Sequence, residues 1–192
     1  MPGRSFDYIL KDKRTYQKRE FEEEIYTFKC SLNISYIVEV EYHYNYICIL
    51  KFYQKNHRNS KHRYSLLNSR RFLERHKTSG TKNFLMILNT IIEISIGIFK
   101  KNDLFSFGFI GAPTKIELEE NSNKTINPDG TVESTKRFNT YSIYVKRYFS
   151  PDRFEHIEIV SSSSYLIKSR KNLDLTTTKV EHFFKYYIEN HC

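Results

Sequence analysis

Residues 79–111, SGTKNFLMILNTIIEISIGIFKKNDLFSFGFIG, hold the two elements from which the fold is read. Phe84, Ile87, Leu88, Ile91, Ile94 and Ile98 recur at helical spacing, which predicts one long helix with an apolar face. Ser79-Gly80-Thr81 stands at its start, where a hydroxyl accepts from exposed backbone N–H groups. Lys100-Lys101-Asn102 closes it, where cations meet the negative end of the helix dipole. Leu104–Gly111 then reads as a buried strand that Pro113 ends. A long helix followed at once by a buried strand implies a crossover connection. The apolar run from Phe84 to Phe99 is interrupted by Asn89, Thr90, Glu93 and Ser95 and falls short of the roughly 20 apolar residues a bilayer crossing takes. It is expected to lie inside a protein core, and no membrane is expected as a partner.

Outward from this pair, Ile25–Cys30, Tyr36–Tyr42 and Tyr46–Phe52 are rich in β-branched and aromatic residues and read as antiparallel strands. On the other side, a helix beginning near Thr135 places Phe138, Tyr141, Val145, Tyr148 and Phe149 on one face and stops at Ser150-Pro151. Phe154–Val160 and Tyr165–Lys168 form a strand pair around the turn Ser161–Ser164, and a last helix spans about Thr176 to Asn190. The order predicts an α+β fold, a single mixed, mostly antiparallel sheet flanked by helices. Residues 1–20 read as a polar N-terminal arm and 21–192 as a single domain. Residues 113–134, acidic and carrying the turn Asn127-Pro128-Asp129-Gly130, read as a flexible exposed loop.

Composition excludes several classes. With 192 residues, 39% hydrophobic and 16% aromatic, the chain can bury a core, so it is neither disordered nor fibrous. Cys30, Cys48 and Cys192 make no disulfide framework and no paired metal-ligand spacing, which favours a reducing compartment. The polar, charged start offers no apolar stretch for secretion, so a cytoplasmic location is expected. No H-E-x-x-H or carboxylate cluster argues for a metal.

The formal charge is +9, and it is concentrated. Residues 51–77 carry Lys51, Lys55, Arg58, Lys61, Arg63, Arg70, Arg71, Arg75 and Lys77 against one acid, Glu74, with Phe52, Tyr53, Tyr64 and Phe72 among them. Cations interleaved with aromatics grip phosphates and stack on bases, so this basic insertion is a candidate nucleic-acid contact, with Lys55, Arg58, Lys61, Arg63, Arg70, Arg71, Arg75 and Lys77 as its residues. The same segment also suits an acidic protein partner, or a solvated loop that keeps the chain soluble. His57, His62 and His76 stand among the bases at no enforced spacing, so general acid–base chemistry on RNA is a weaker alternative.

A motif adds to this reading. Ile143-Tyr144-Val145-Lys146-Arg147-Tyr148-Phe149 resembles the L-Y-E-K-x-G-F signature of the GNAT-type N-acetyltransferase superfamily. In that family a helix opening at a pyrophosphate-binding loop leads into a buried strand, a tyrosine-bearing helix and two closing strands. The resemblance covers about residues 79–170 and implies a GNAT-like fold. The same ending is also similar to uncharacterised bacterial and phage proteins. Acetyl-CoA or another acyl-CoA is the implied cofactor, held by Ser79, Gly80, Thr81 and Lys82, with Tyr144 as the acid that protonates the departing thiolate. Where the family has Q/R-x-x-G-x-G/A and a glycine before the final Phe, this chain has the single Gly80 and Tyr148. Glu39 and Glu41 alternate with Tyr36, Val38 and Val40 and so share one strand face, which makes Glu41 the candidate base for an amine. The expected function is a divergent N-acyltransferase acting on or near an anionic partner. Two alternatives stand beside it, a non-enzymatic nucleic-acid binder and a toxin or antagonist acting by protein contact.

Overall fold

A computed structural model of the chain describes residues 3–15, 21–60, 63–64, 80–114, 116–118 and 125–191. Among the described residues there are seven strands and three α-helices. They are β1 (Tyr8–Thr15), β2 (Glu22–Lys29), β3 (Ser35–His43), β4 (Ile47–Gln54), α1 (Gly80–Lys101), β5 (Ser106–Ile110), α2 (Lys136–Lys146), β6 (Phe154–Ile159), β7 (Ser164–Ser169) and α3 (Thr177–His191). The hydrogen-bonded strand order is β1-β2-β3-β4-β5-β7-β6, an α+β architecture as expected. The single domain expected over 21–192 is built as two compact units, residues 1–44 with 49–101 and residues 45–48 with 102–192.

In the first unit, β2 pairs antiparallel with both neighbours, Glu22 opposite Tyr42 through Lys29 opposite Ser35 on the β3 side. The pairing with β1 shifts register between Leu10 and Asp12. Because side chains alternate, Tyr26, Phe28, Tyr36, Val38 and Val40 share one face and are buried. Phe28 stacks on Phe6 at 5.8 Å and on Tyr36 at 5.3 Å between ring centroids. α1 buries Ile87, Leu88, Ile92, Ile94 and Ile98. By length and composition alone it also meets the test for a membrane span, and just over half of that window, 56%, is buried in the protein.

The polar arm expected over 1–20 is corrected here, because it contains β1 and a segment docked on α1. Thr90 Oγ1 accepts from Phe6 N at 2.9 Å, Asn89 Nδ2 donates to Arg4 O at 2.9 Å, and Ser5 Oγ donates to Glu93 Oε2 at 2.7 Å. Two of the residues that interrupt the apolar run of α1, Asn89 and Thr90, therefore satisfy this segment's backbone, which otherwise carries buried orphan groups, and a third, Glu93, meets its Ser5 side chain. The strand escapes a hydrophobic-pattern reading because its side chains are mostly exposed, Ile9 at 60%, as suits the strand at one end of the order.

In the second unit, β7 lies between β5 and β6, antiparallel to both, with Phe107 opposite Ile167 and Ile157 opposite Leu166. Phe107, Phe138, Phe149, Tyr165, Leu166 and, from α3, Phe183 and Phe184 are fully buried. The connection from β5 to α2 is tied by hydroxyls. Thr135, the N-cap of α2, accepts from Phe138 N at 3.1 Å and donates to Gly111 O at 2.8 Å. Ser163, in the left-handed conformation at φ 52°, donates to Val132 O at 2.7 Å and accepts from Thr135 N at 2.9 Å. The loop expected over 113–134 is exposed only in part: Glu117 and Val132 are buried, while the Asn127–Gly130 turn forms as read, with Gly130 N donating to Asn127 O at 2.9 Å.

Two glycines make opposite predictions. A Cβ on Gly111 would stand 2.6 Å from the backbone nitrogen of Phe138, whereas one on Gly97, inside α1, meets nothing nearer than Tyr8 Oη at 3.8 Å. Gly111→Ala is expected to lower unfolding stability by about 1–3 kcal/mol through overpacking. Gly97→Ala is expected to raise it by about 0.5–1 kcal/mol through helix propensity. Urea titration of both variants checks the pair.

Candidate functional site

α1 begins at Gly80, and its first turn carries no acidic residue; Thr81 and Lys82 are exposed. The first backbone N–H groups of any helix lack intrahelical acceptors and sit at the positive end of its dipole, so an exposed lysine there adds to an anion-attracting end. Asn83, one residue on, is buried and accepts from Ser31 Oγ at 3.0 Å. Ser79 lies outside the described residues.

Tyr144 lies on the face of α2 that also buries Phe138 and Val145. Its hydroxyl accepts from Tyr148 Oη at 3.4 Å, the rings 5.2 Å apart. Burial, and then the Tyr148 hydroxyl, push the Tyr144 phenol well above its ordinary value. Such a phenol keeps its proton at neutral pH, and a higher value also makes it a slower donor. Tyr141, one turn earlier, is pushed up to about 12 by burial, with Arg137 opposing. Arg137 itself is buried and donates to Ala112 O at 3.0 Å, and Lys136 N donates to Glu117 Oε1 at 2.7 Å. Of the basic pair at the start of α2, the Arg137 guanidinium is thus engaged within its own unit, whereas Lys136 bonds Glu117 through its backbone.

In the first unit, the face of β3 opposite Val38 and Val40 carries Ile37, Glu39, Glu41 and His43. Glu41 is buried; Lys51 Nζ donates to its Oε1 at 2.7 Å, and His43 Nε2 lies 3.3 Å from its Oε2. Glu23, also buried, stands directly opposite on β2, with Arg14 Nη1 at 3.7 Å from its Oε2. The carboxylate expected to serve as a base is therefore built into an ion-pair group. Glu39 accepts from Tyr53 Oη at 2.6 Å and from Tyr64 Oη at 2.9 Å. Sequence reasoning missed this tyrosine–carboxylate cluster. The signal was present, because Lys51 and Tyr53 alternate along β4 as Glu39 and Glu41 do along β3.

Of the bases proposed to meet nucleic acid, Lys55 and Arg58 are exposed on the short turn after β4. Arg63 is engaged: its guanidinium lies 5.3 Å from the Tyr53 ring centroid and 4.7 Å from that of Tyr64. Lys61, Arg70, Arg71, Arg75 and Lys77 lie outside the described residues. Among the described residues, no group of three or more His, Cys, Asp or Glu is placed to hold a metal ion. Cys48 and Cys30 are buried. Compared with known proteins, the chain matches no family model, no curated protein and no solved structure.

On the other face of the first unit's sheet, Glu24 is buried, which by itself raises its pKa, but Lys13, Tyr26 and Tyr42 all donate to it and hold it below the ordinary value of 4.5. Lys13 Nζ lies 2.6 Å from Oε1, and the Tyr26 and Tyr42 hydroxyls 2.6 and 2.7 Å from Oε2. A carboxyl whose folded-state pKa is depressed adds stability above its unfolded value, and that contribution disappears as pH falls through the lower folded value. Glu24→Gln is therefore expected to destabilise the chain at pH 7 and to converge with the wild type as the pH drops below 4.5. Urea midpoints of both proteins across that range measure it, and a gap independent of pH would contradict the assignment.

Proposed function

We propose that the chain is a divergent GNAT-like acyltransferase that takes an acyl-CoA through its pyrophosphate at the N-terminus of α1. The observation that carries this reading is the succession α1, β5, the Tyr144-bearing α2 and the antiparallel pair β6/β7, which is the order the sequence resemblance implies. Gly80 opening a 22-residue helix, with Thr81 and Lys82 exposed and no acid in the first turn, gives that end the charge a pyrophosphate needs. In acyl transfer the amine nitrogen forms a bond to the acyl carbon as the carbon–sulfur bond breaks. The amine proton goes to a base and the departing sulfur takes a proton. The resemblance assigns the second task to Tyr144, and a phenol held protonated at neutral pH suits it. Glu41 can serve as the base only with a lone pair not used by Lys51 or His43.

Calorimetric titration with acetyl-CoA and with CoA tests the binding step. Both are expected to bind, and Lys82→Glu is expected to weaken both by about threefold to thirtyfold, the effect of reversing one charge at a helix end. Absence of heat together with absence of a thermal shift removes the reading. Tyr144→Phe is expected to lower amine acylation by about a hundredfold or more while leaving CoA affinity unchanged. A changed melting point with unchanged turnover would make Tyr144 a packing residue. Exposed Lys55 and Arg58 support a second reading, a nucleic-acid contact. It predicts RNA retention that falls with salt along a slope reduced in the Lys55→Ala/Arg58→Ala double variant.

A further inference from the structure

Tyr53 and Tyr64 meet at a corner, their rings 84° to one another with centroids 5.5 Å apart. Glu39 closes a third side by accepting from both hydroxyls, so the carboxylate fixes the pitch of each ring and adds a negative charge beside them. Tyr53 packs with Ile25 and Ile37, and Tyr64 rests against that cluster, so the corner stands on a rigid apolar base. Two aromatic faces at right angles and one carboxylate are what an organic cation requires. The ring quadrupoles attract it within about 6 Å, and the carboxylate supplies charge without demanding a fixed hydrogen-bond geometry.

The chain places its own cation there. Arg63 lies within that range of both rings and donates from Nη2 to Tyr64 Oη at 2.9 Å. The fit is incomplete: Nε of Arg63 is buried and, among the described residues, has no hydrogen-bond partner. A buried donor left unmet opposes the favourable ring contacts, so Arg63 occupies the corner at a cost that its tether to the backbone beside Tyr64 imposes. A guanidinium that is not tethered to residue 63 can rotate in the corner and present its donors to Tyr64 and Glu39 while keeping both ring contacts. Lys51, 5.9 Å from the Tyr64 centroid, and Arg58, whose charge is felt at Tyr53, already surround the corner with positive charge. A second cation cannot simply add to Arg63 and has to replace it.

We propose that Glu39, Tyr53 and Tyr64 form a recognition site for a guanidinium group, such as an arginine side chain of a peptide, that Arg63 fills in the free chain and yields on binding. The site lies within the first unit and does not depend on the acyl-CoA reading. Either can fail without the other.

The experiment titrates methylguanidinium, below denaturing concentrations, into wild type and Arg63→Ala. It follows the ring signals of Tyr53 and Tyr64 by NMR, assigned through Tyr53→Phe and Tyr64→Phe. Methylurea, which has a similar shape without the charge, is the control. Saturable shifts are expected in both proteins, with binding about tenfold or more tighter in Arg63→Ala because nothing has to be displaced. Adding Glu39→Gln to that variant is expected to weaken binding again by about tenfold or more. If Arg63→Ala does not fold, Arg63→Met, which keeps the length of the side chain without its charge, takes its place, with the same gain expected. Three results overturn the proposal: no saturable shift in the wild type, equal affinity with and without Arg63, or a methylurea response matching that of methylguanidinium.

Discussion

Buried polar groups that must find partners set much of this structure. In the first unit the carboxylates of Glu23, Glu24 and Glu41 are buried and that of Glu39 half-buried on the sheet, and each is met by a cation or a hydroxyl from a neighbouring strand or turn. Leaving one such group unmet costs about 1–3 kcal/mol or more when it is charged, comparable with burying a large apolar side chain. Strand register therefore has to bring Lys51 to Glu41 and Tyr53 to Glu39 as surely as it brings Val38 and Val40 into the core. In the second unit the same demand falls on a smaller set: Ser163, Thr135 and Glu117 satisfy the backbone where β5 leaves the sheet and α2 begins.

This constraint changes how the charge of the chain is read. A formal +9 with a dense basic segment suggests a surface that attracts anions. Two of the bases in that segment are spent inside the first unit, Lys51 on Glu41 and Arg63 on the Tyr53–Tyr64 corner. Charge that neutralises a buried carboxylate or sits over an aromatic ring contributes little field to the outside. Within that segment, the described bases exposed toward an anionic partner are Lys55 and Arg58, on the short turn after β4.

The positions where the backbone is least ordinary are also polar. Asn33, Asn45, Tyr46, Ser134 and Ser163 all take positive φ, and Asn172 Nδ2 donates to Asn45 O at 2.8 Å across a long sequence separation. Ser163 is held by one hydrogen bond that its hydroxyl donates to Val132 O, one that it accepts from Thr135 N and a third that its carbonyl accepts from Gly111 N, so its strained conformation is one its surroundings impose.

Periodicity alone determined the long helix with its apolar face, the strands around Tyr36–Tyr42 and Tyr46–Phe52, the helix capped by Thr135 and the β6/β7 pair. A buried face repeats at 3.6 or at 2 residues whatever lies across from it. It also put Glu39 and Glu41 on one strand face. The tertiary structure alone decided that residues 8–15 are a strand, because a mostly exposed strand at the end of a sheet shows no apolar alternation. It decided that Asn89 and Thr90 serve the N-terminal segment, and that Arg63 sits between two tyrosines joined to a distant glutamate. Those outcomes depend on which residues a fold brings together across tens of positions, and no local pattern along the chain records that pairing.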